Sequence, residues 1–479
     1  MPGGFVGITV MPEYYQNETV DAVLDNLVNL AQVTAVTTSP YVMAAVSDGK
    51  GQREPPIDAG AGMVRLLDRP LWGKKELQVR TAPSFIANRQ LYQGLAYQPP
   101  SPNSLTHEDG HLVGTFLTQA AERGLKTYLQ VQAAIPPGYR VQFGGPHECD
   151  MPLMPDGSLP GKRVAENASL ASPDVIAYQR AMIRDLVQAY PQIDGIRFDW
   201  PEYPPYEINS IFTDFSPHVA SLAGELEIDL DGIRAEAIRC YSLIHEGLTD
   251  ASVEGFMTTL ASRGAESIRE VVTMENPLLG DWLRLKRALS DRLLRSFRMA
   301  MDEAGREDLE LVAHAFPPPW SDLSGIDFSV SSDIVDHFCV KLYGMHWLMM
   351  IRSYAEQILA GNSRLDEGVL VPALFTLFDI NSGPPPQGLD DVRYPSPGEP
   401  HPGDQSTRTR KIRAARAAAG TTPVISLEHG YGPIDDFGKR IETAYKASDS
   451  RIWINRYGYL SDDKLRLVRE ITQQGGPCQ

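Results

Sequence analysis

Cysteine is scarce in this sequence, and its spacing suggests no cross-link. The four cysteines, Cys149, Cys240, Cys339 and Cys478, lie far apart in a chain of 479 residues and form no CxxC motif. A disulfide framework or a structural zinc site is therefore not expected. Cys339 lies in the apolar run DHFCVKLY, which is typical of a buried thiol.

Long apolar runs and an excess of positive charge are also missing. No stretch approaches the roughly 20 apolar residues that span a bilayer, and MPGGFVGITV lacks the basic and apolar segments of a leader. We expect a cytoplasmic location, or secretion if a leader was removed. The net charge is −17, so no nucleic-acid or membrane partner is expected, because such surfaces need clustered Lys and Arg. This charge fits a neutral or cationic substrate, although solubility alone explains it equally well.

Short apolar runs rich in Val, Ile, Phe and Tyr alternate with amphipathic segments along the chain. They are FVGITV (5–10), VTAVTTS (33–39), KTYLQVQ (126–132), DGIRFD (194–199), LELVAHAF (309–316), DHFCVKLY (336–343), VLVPALF (369–375), PVISLEH (423–429) and RIWINRY (451–457). Apolar strands that alternate with helices predict a parallel sheet covered on both faces. The first strand leads into MPEYYQN, which lacks the glycines of a dinucleotide-binding turn, so an open doubly wound sheet is disfavoured.

We therefore predict an α/β fold, a (β/α)8 TIM barrel with long β→α loops. Nine strand candidates compete for eight places, so either VLVPALF or PVISLEH lies outside the barrel, or one is an extra strand in a loop. Ser172-Pro173-Asp174 predicts the start of one helix, because an N-cap serine is followed by proline. The long segments 40–110 and 379–407 are predicted loop insertions. Residues 1–479 are predicted to form one catalytic domain.

The chemistry of this fold lies after the carboxyl ends of the strands. The polar and aromatic residues there are Glu13, Tyr14, Tyr15, Tyr41, Gln130, Gln132, Arg197, Asp199, Trp200, Glu202, His314, Trp320, Lys341, Tyr343, His346, Trp347, Asp379, Glu428, His429, Asn455, Arg456 and Tyr457. Aromatic faces suit the C–H faces of sugars, and amides, histidines and carboxylates hydrogen-bond hydroxyl groups. Because glycosidic cleavage needs two carboxylates, these residues indicate a carbohydrate-active enzyme.

Several segments resemble known enzymes. DGIRFDWPEY (194–203) resembles the fourth-strand motif of (β/α)8 glycoside hydrolases and is particularly similar to families of bacterial glycosyl hydrolases. The segments 107–132, 335–347 and 452–465 resemble the third strand with its preceding helix, the sixth strand and the closing unit of those families. This resemblance implies hydrolysis of an O-glycosidic bond.

The resemblance also implies catalytic residues. In the large clan of retaining glycosidases, Glu202 would be the acid/base and Glu428 the nucleophile. The clan usually has Asn where this sequence has Pro201. In the α-amylase scheme Asp199 would be the nucleophile, but the expected Glu after strand five is missing from HAFPPPW.

The residues themselves separate the two carboxyl groups of this loop. Arg197 and Asp199 are two positions apart on one strand, so both point into the barrel, and the guanidinium would lower the pKa of Asp199. Glu202 lies among aromatic and proline side chains, where burial would raise its pKa. Glu202 is therefore the predicted acid, Glu428 or Asp199 its partner, and Asp199 a constant anion.

The residues predicted to bind the sugar are Arg197, Trp200, Gln132, His314, Tyr343, His346 and Tyr457. No cofactor and no metal are expected. The sequence HEDGH (107–111) matches the HExxH pattern of zinc proteases, but it contains a glycine and lies where a helix only begins. Two alternatives stay open: a metal-dependent hydrolase using His314, His346 and an aspartate, and a carbohydrate-binding barrel without catalysis.

Overall fold

Eight parallel strands form a closed barrel in the computed structural model. The structure describes residues 4–47, 49–56, 66–140, 143–263, 269–270, 273, 276–380, 383–384 and 386–474. The barrel strands are β1 (Phe5–Thr9), β2 (Ala35–Thr38), β6 (Lys126–Gln132), β7 (Gly195–Asp199), β8 (Glu310–Ala315), β9 (His337–Lys341), β10 (Val424–His429) and β11 (Arg451–Asn455). Each pairs in parallel with its neighbour, and β11 pairs with β1 to close the ring. The predicted (β/α)8 barrel is confirmed.

A small antiparallel sheet lies in the first predicted insertion. Its strands are β3 (Tyr41–Val46), β4 (Gln52–Glu54) and β5 (Leu77–Pro83), in the order β3-β5-β4. Residues 48 and 57–65 of that insertion lie outside the described part of the chain. The same holds for 381–382 and 385 in the second insertion and for Cys478.

Helices lie between the strands and in their connections. They are α1 (Pro12–Glu18), α2 (Val20–Asp25, continued by a π-helix over Asn26–Ala31), α3 (Ser104–Asp109), α4 (His111–Glu122), α5 (Pro173–Ala189), α6 (Ile208–Ile211), α7 (Ala220–Glu225), α8 (Leu230–Glu246), α9 (Asp250–Arg263), α10 (Pro277–Glu303), α11 (Trp320–Ser324), α12 (Gly344–Gly361), α13 (Glu367–Leu377), α14 (Gln405–Ala419), α15 (Ile434–Ala447) and α16 (Asp462–Gln474). As predicted, the Ser172 side chain caps α5 by accepting from the Val175 N–H. No helix among these described residues combines the length and apolar character needed to cross a membrane.

The ninth strand candidate is a helix. VLVPALF falls within α13, whose N-terminus is capped by the side chain of Asp366, and PVISLEH supplies the seventh barrel strand. The apolar run of α13 packs against α12 and α9. The run VLVPALF is apolar because the helix is buried against α12 and α9, and it takes no part in strand pairing.

The barrel interior is filled by alternate side chains of the strands. The buried residues of this cluster are Ala35, Tyr128, Val312, Cys339, Ile425, Leu427 and Trp453. Gly7 makes room for the Trp453 ring, because a Cβ there would lie 2.4 Å from it. Since side chains alternate along a strand, the cluster shows which residues of each strand point inward.

Candidate functional site

The inward-facing residues at the carboxyl ends of the strands define the barrel mouth. They are Gln132, Asp199, His314, Lys341, His429 and Asn455. The strand register places Gln132 beside Asp199 and His429 beside Asn455. Polar side chains from six strands therefore meet at one end of the barrel, where the fold places its chemistry.

Asp199 is the carboxylate of this mouth, and two neighbouring strands hold it. Its Oδ1 lies 2.7 Å from Nζ of Lys341 on β9 and 3.2 Å from Nδ1 of His314 on β8. The Asp199 side chain keeps 16% of its surface exposed, whereas Lys341 and His314 are buried. The Asp199 carboxylate is thus held by residues of β8 and β9, and its exposed part remains accessible to a ligand.

The environment keeps Asp199 ionised and His314 neutral. Burial acts to raise the pKa of Asp199, but the Lys341 ammonium and the contact with His314 hold it well below its usual range. Burial and the nearby Arg197 lower the pKa of His314 to about 4, against the opposing charge of Asp199. The predicted constant anion is therefore present, but its counter-charge is Lys341.

Aromatic rings border the mouth beside Asp199. The Lys341 ammonium lies 5.2 Å from the centroid of the Trp200 ring and 4.9 Å from that of Phe316. Trp200 has φ = 55°, a left-handed conformation that is rare for a bulky residue and concentrates at functional sites. Tyr343 and His346 lie edge to face, with ring centroids 5.4 Å apart. The rings of Trp200, Tyr343 and His346 are partly exposed at the mouth, whereas Phe316 is buried.

Several polar atoms at the mouth have no partner among the described residues. They are Oε1 of Gln132, Nε1 of Trp200, Nε2 of His314 and Oδ1 of Asn455. Buried polar atoms without a hydrogen bond are costly, and native proteins keep few of them. A ligand that carries both hydroxyl donors and acceptors would satisfy this set.

Glu202 lies behind the mouth and is completely buried. Its Oε1 accepts from the Phe316 N–H at 3.0 Å, and its Oε2 accepts from the Ser324 hydroxyl. Burial raises the pKa of Glu202 to about 7, although Lys341 and both hydrogen bonds oppose that rise. Asp199 and Glu202 thus have pKa values shifted in opposite directions.

Arg197 does not pair with Asp199, and this expectation is corrected. Its guanidinium stacks on the Trp453 ring at 3.7 Å and donates to Thr9 Oγ1 at 3.3 Å, below the mouth. Burial lowers its pKa. The side chain belongs to the barrel interior and has no exposed surface for a sugar.

Glu428 is not brought to the mouth. Ile425 and Leu427 of β10 point inward, so Glu428 points outward towards the helices. Its Oε1 is 2.9 Å from Nε of Arg408 on α14, and its Oε2 is 2.9 Å from Nη1 of Arg440 on α15. The structure gives Glu428 a place in a buried ion triad and does not bring it together with Glu202 as a catalytic partner.

Tyr457 also lies away from the mouth. Its hydroxyl donates to Glu18 Oε2 and accepts from Asn26 Nδ2, each at 2.9 Å. The Arg69 guanidinium covers its ring at 4.4 Å. These contacts fix the closing loop on α1 and on the π-helix that continues α2, and the buried Tyr457 side chain has no exposed surface for a sugar.

A buried quartet of charges lies beside the mouth: Glu13, Glu54, Arg140 and Arg456. Arg140 pairs with Glu54 at 2.6 Å, and Arg456 pairs with Glu54 and, at 3.1 Å, with Glu13. Tyr41 links Arg140 to Glu13 through its hydroxyl. The sequence placed Glu13, Tyr41 and Arg456 after strands, but nothing in it indicated that Glu54 of the small sheet joins them.

The described residues contain no group of three or more His, Cys, Asp or Glu side chains that could hold a metal ion. His314 is bonded to Asp199, and His346 contacts aromatic rings. The HEDGH segment is divided between α3 and α4 at Gly110. The metal-dependent alternative therefore finds no ligand set in the part of the chain that is described.

No protein-family model matches the sequence, and no curated protein matches it. Solved structures with a similar fold include a β-galactosidase from the psychrophilic Marinomonas ef1, with 10% identity and a TM-score of 0.50. That comparison covers 98% of this chain, which spans 59% of the β-galactosidase. The catalytic domain of β-amylase from Paenibacillus polymyxa gives 10% identity, a TM-score of 0.48 and 99% coverage of both chains. At 10% identity the likeness to the β-galactosidase concerns the fold alone, and it agrees with the closed barrel of eight parallel strands.

Proposed function

We propose that the protein is a glycoside hydrolase that cleaves an O-glycosidic bond at the barrel mouth. The main support is the ionised Asp199, which is surrounded by polar atoms without partners and bordered by the rings of Trp200 and Tyr343. A sugar would satisfy this arrangement, since its hydroxyls donate and accept while its C–H face packs on a ring.

In this proposal Asp199 is the nucleophile or the general base. An ionised carboxylate stabilises the oxocarbenium-like transition state and can attack the anomeric carbon or activate water. Lys341 and His314 hold Asp199 in position and keep it deprotonated. Neutral His314 leaves Nε2 for a sugar hydroxyl.

Glu202 is the proposed acid. A carboxyl group with a pKa of about 7 carries a proton near neutral pH, which is what protonation of a leaving oxygen requires. Because Glu202 has no exposed surface, proton transfer requires the Trp200–Tyr206 loop to open towards the mouth. Glu428 takes no part in this scheme, because Arg408 and Arg440 occupy both of its oxygens.

The test compares Asp199→Asn and Glu202→Gln on a panel of oligosaccharides and on glycosides with activated aryl leaving groups. Asp199→Asn should lower kcat/KM by at least about a thousandfold on every substrate, because it removes the anion. Glu202→Gln should lose activity on poor leaving groups and keep most of it on activated ones, which need no acid. Glu207→Gln is the matched control, since Glu207 is a half-buried carboxyl directly after the same loop, and burial also raises its pKa.

Two outcomes would contradict the scheme. Wild-type turnover of poor substrates by Glu202→Gln would remove Glu202 as the acid. Saccharide binding without turnover by the wild-type protein would instead identify a carbohydrate-binding barrel. The predicted cytoplasmic location and a single domain over the whole chain stay predictions.

A further inference from the structure

A pocket of about 440 Å³ opens between the N-terminal ends of α14 and α15. Its charged and polar lining consists of His401, Asp404, Arg408, Asp436, Lys439 and Arg440. In this fold both helix ends lie at the face that carries the mouth, since each of these helices runs antiparallel to the strands. The pocket therefore flanks the catalytic end of β10.

Three donor groups of the pocket lining are not used by the protein. His401 is only 6% exposed, and neither ring nitrogen has a hydrogen-bond partner among the described residues. The buried Arg408 also leaves Nη2 without a partner. Lys439 is exposed at the rim, and no ion pair to it is found within the described ranges. Arg408 and Lys439 can only donate, whereas the neutral His401 ring can donate from one nitrogen and accept at the other.

The nearby carboxylates cannot fill this role, because other groups already bind them. Asp436 accepts from Arg440 Nε at 2.7 Å and from the His401 backbone N–H at 3.2 Å. Asp404 caps α14 by accepting from the Thr407 N–H at 2.7 Å. Glu428 is bound by both arginines. Of the remaining groups, Lys439 has no ion pair among the described residues, whereas Arg408 is balanced by Glu428 and has only Nη2 left without a partner.

A chain of rings connects this pocket with the mouth. The His401 and Tyr431 ring centroids are 5.6 Å apart, and Tyr431 and His429 are 6.5 Å apart. His429 in turn meets Tyr343 at 5.2 Å. His429 and Tyr431 are buried, so these rings are packed in the protein and place His401 three ring contacts from Tyr343. A saccharide held beside Asp199 would have to bridge this span from outside the ring layer.

We propose that this pocket binds the oxyanion substituent of an acidic saccharide, with His401, Arg408 and Lys439 as donors. Arg and Lys carry donors only, and guanidinium geometry suits carboxylate, sulfate and phosphate groups. The substrate class would then be an acidic carbohydrate, although the protein as a whole is negatively charged. This inference rests on the proposed glycosidase function and names its substrate.

The experiment measures binding by calorimetry in the Asp199→Asn protein, so that no substrate is consumed. The probes are a linear uronic-acid trisaccharide, the neutral trisaccharide that carries CH₂OH in place of each carboxylate, and inorganic sulfate. At low salt the acidic trisaccharide should bind at least about tenfold more tightly than the neutral one. His401→Phe keeps the ring volume, and Lys439→Ala changes only the rim; each should reduce this preference about threefold or more. Lys446→Ala is the matched control, two turns further along α15 and paired with Glu442.

Equal binding of the acidic and neutral trisaccharides would overturn the inference. An equal loss of the preference for the acidic trisaccharide in Lys439→Ala and Lys446→Ala would also overturn it, because this would indicate general charge attraction. Sulfate binding that depends on Lys439 without a preference for the acidic trisaccharide would identify an anion site unrelated to substrate. If the wild-type protein hydrolyses neutral saccharides and shows no preference for acidic ones, the glycosidase proposal stands and the acidic-substrate inference fails. If acidic saccharides bind in a Lys439-dependent way but the wild-type protein hydrolyses none of them, only the binding site stands.

Discussion

At the scale of single residues, the pKa of Asp199 is set by side chains from neighbouring strands. Sequence spacing places Arg197 and Asp199 on one face of β7, and both do point inward. Side chains two positions apart on a strand are nevertheless separated along the barrel axis, so Arg197 stacks on Trp453 below while Lys341 reaches Asp199 from β9. The stagger between barrel strands brings Lys341 to that level, and local spacing does not reveal it.

Replacing Lys341 with Met should raise the pKa of both Asp199 and Glu202. Lys341 lowers both pKa values, whereas burial alone raises them. In the wild-type protein we expect kcat/KM to stay level from about pH 4 to its fall near pH 7, as Glu202 loses its proton. In Lys341→Met both the acid limb and the basic limb of the pH profile of kcat/KM should move to higher pH by at least about one unit.

The measurement is the pH profile of kcat/KM with a neutral substrate. Lys341→Arg keeps the positive charge and serves as the control, with both limbs near their wild-type positions. An acid limb that does not move in Lys341→Met would show that Lys341 does not control Asp199.

At the scale of secondary-structure elements, α14 and α15 are both bound to β10 through the Glu428 carboxylate. Arg408 and Arg440 come from different helices and meet at Glu428, so the triad joins three elements behind the barrel wall. The sequence PVISLEH is buried on both faces, and its apolar run alone does not indicate which residues point inward. The sequence therefore predicts Glu428 at the mouth, whereas the structure places its side chain on the outer side of β10.

Glu428→Gln should destabilise the fold without a selective effect on catalysis. Removing the charge leaves the buried Arg408 guanidinium without a counter-ion and Arg440 with Asp436 alone. We expect this to cost about 3–5 kcal/mol of unfolding free energy. Urea unfolding would measure this loss. Activity per folded molecule should stay within about twofold of wild type, since the side chain lies outside the mouth.

Glu442→Gln provides the comparison on the same helix. Glu442 forms an exposed ion pair with Lys446, so its loss should cost less than about 1 kcal/mol. A Glu428→Gln protein with wild-type stability and no activity would restore Glu428 as a catalytic residue.

At the scale of the whole molecule, the sequence was sufficient for the barrel and for most of its mouth. All eight barrel strands fall within predicted runs, because buried parallel strands have a distinct apolar composition. Asp199, Trp200 and His314 were placed at the strand ends on that basis. The sheet of the first insertion, whose strands pair within residues 41–83, was not predicted. The position of its buried Glu54 could not be predicted, because its partner Arg456 lies 402 residues further along the chain.

Glu202 should also make the stability of the whole fold depend on pH. Its pKa of about 7 exceeds the ordinary 4.5, so an unfolded chain releases this proton first as the pH rises. Relative to Glu202→Gln, the free energy of unfolding of the wild-type protein should fall by on the order of 3 kcal/mol between about pH 4.5 and 7. It should fall no further above pH 7.

Urea unfolding of both proteins across this range would measure the difference. A constant gap between wild type and Glu202→Gln at all pH values would contradict the raised pKa. Glu207→Gln, directly after the same loop, controls for the effect of a half-buried carboxyl nearby.

The buried quartet has a consequence for the order in which the chain is made. Glu54 and Arg140 are 86 residues apart and can meet early, whereas Arg456 lies 402 residues after Glu54. At ribosomal rates of about 5–20 residues per second, Glu54 waits roughly 20–80 s for its second arginine. During that interval the nascent chain has an excess of negative charge at this position. The last barrel strand therefore completes both the barrel and the charge balance beside its mouth.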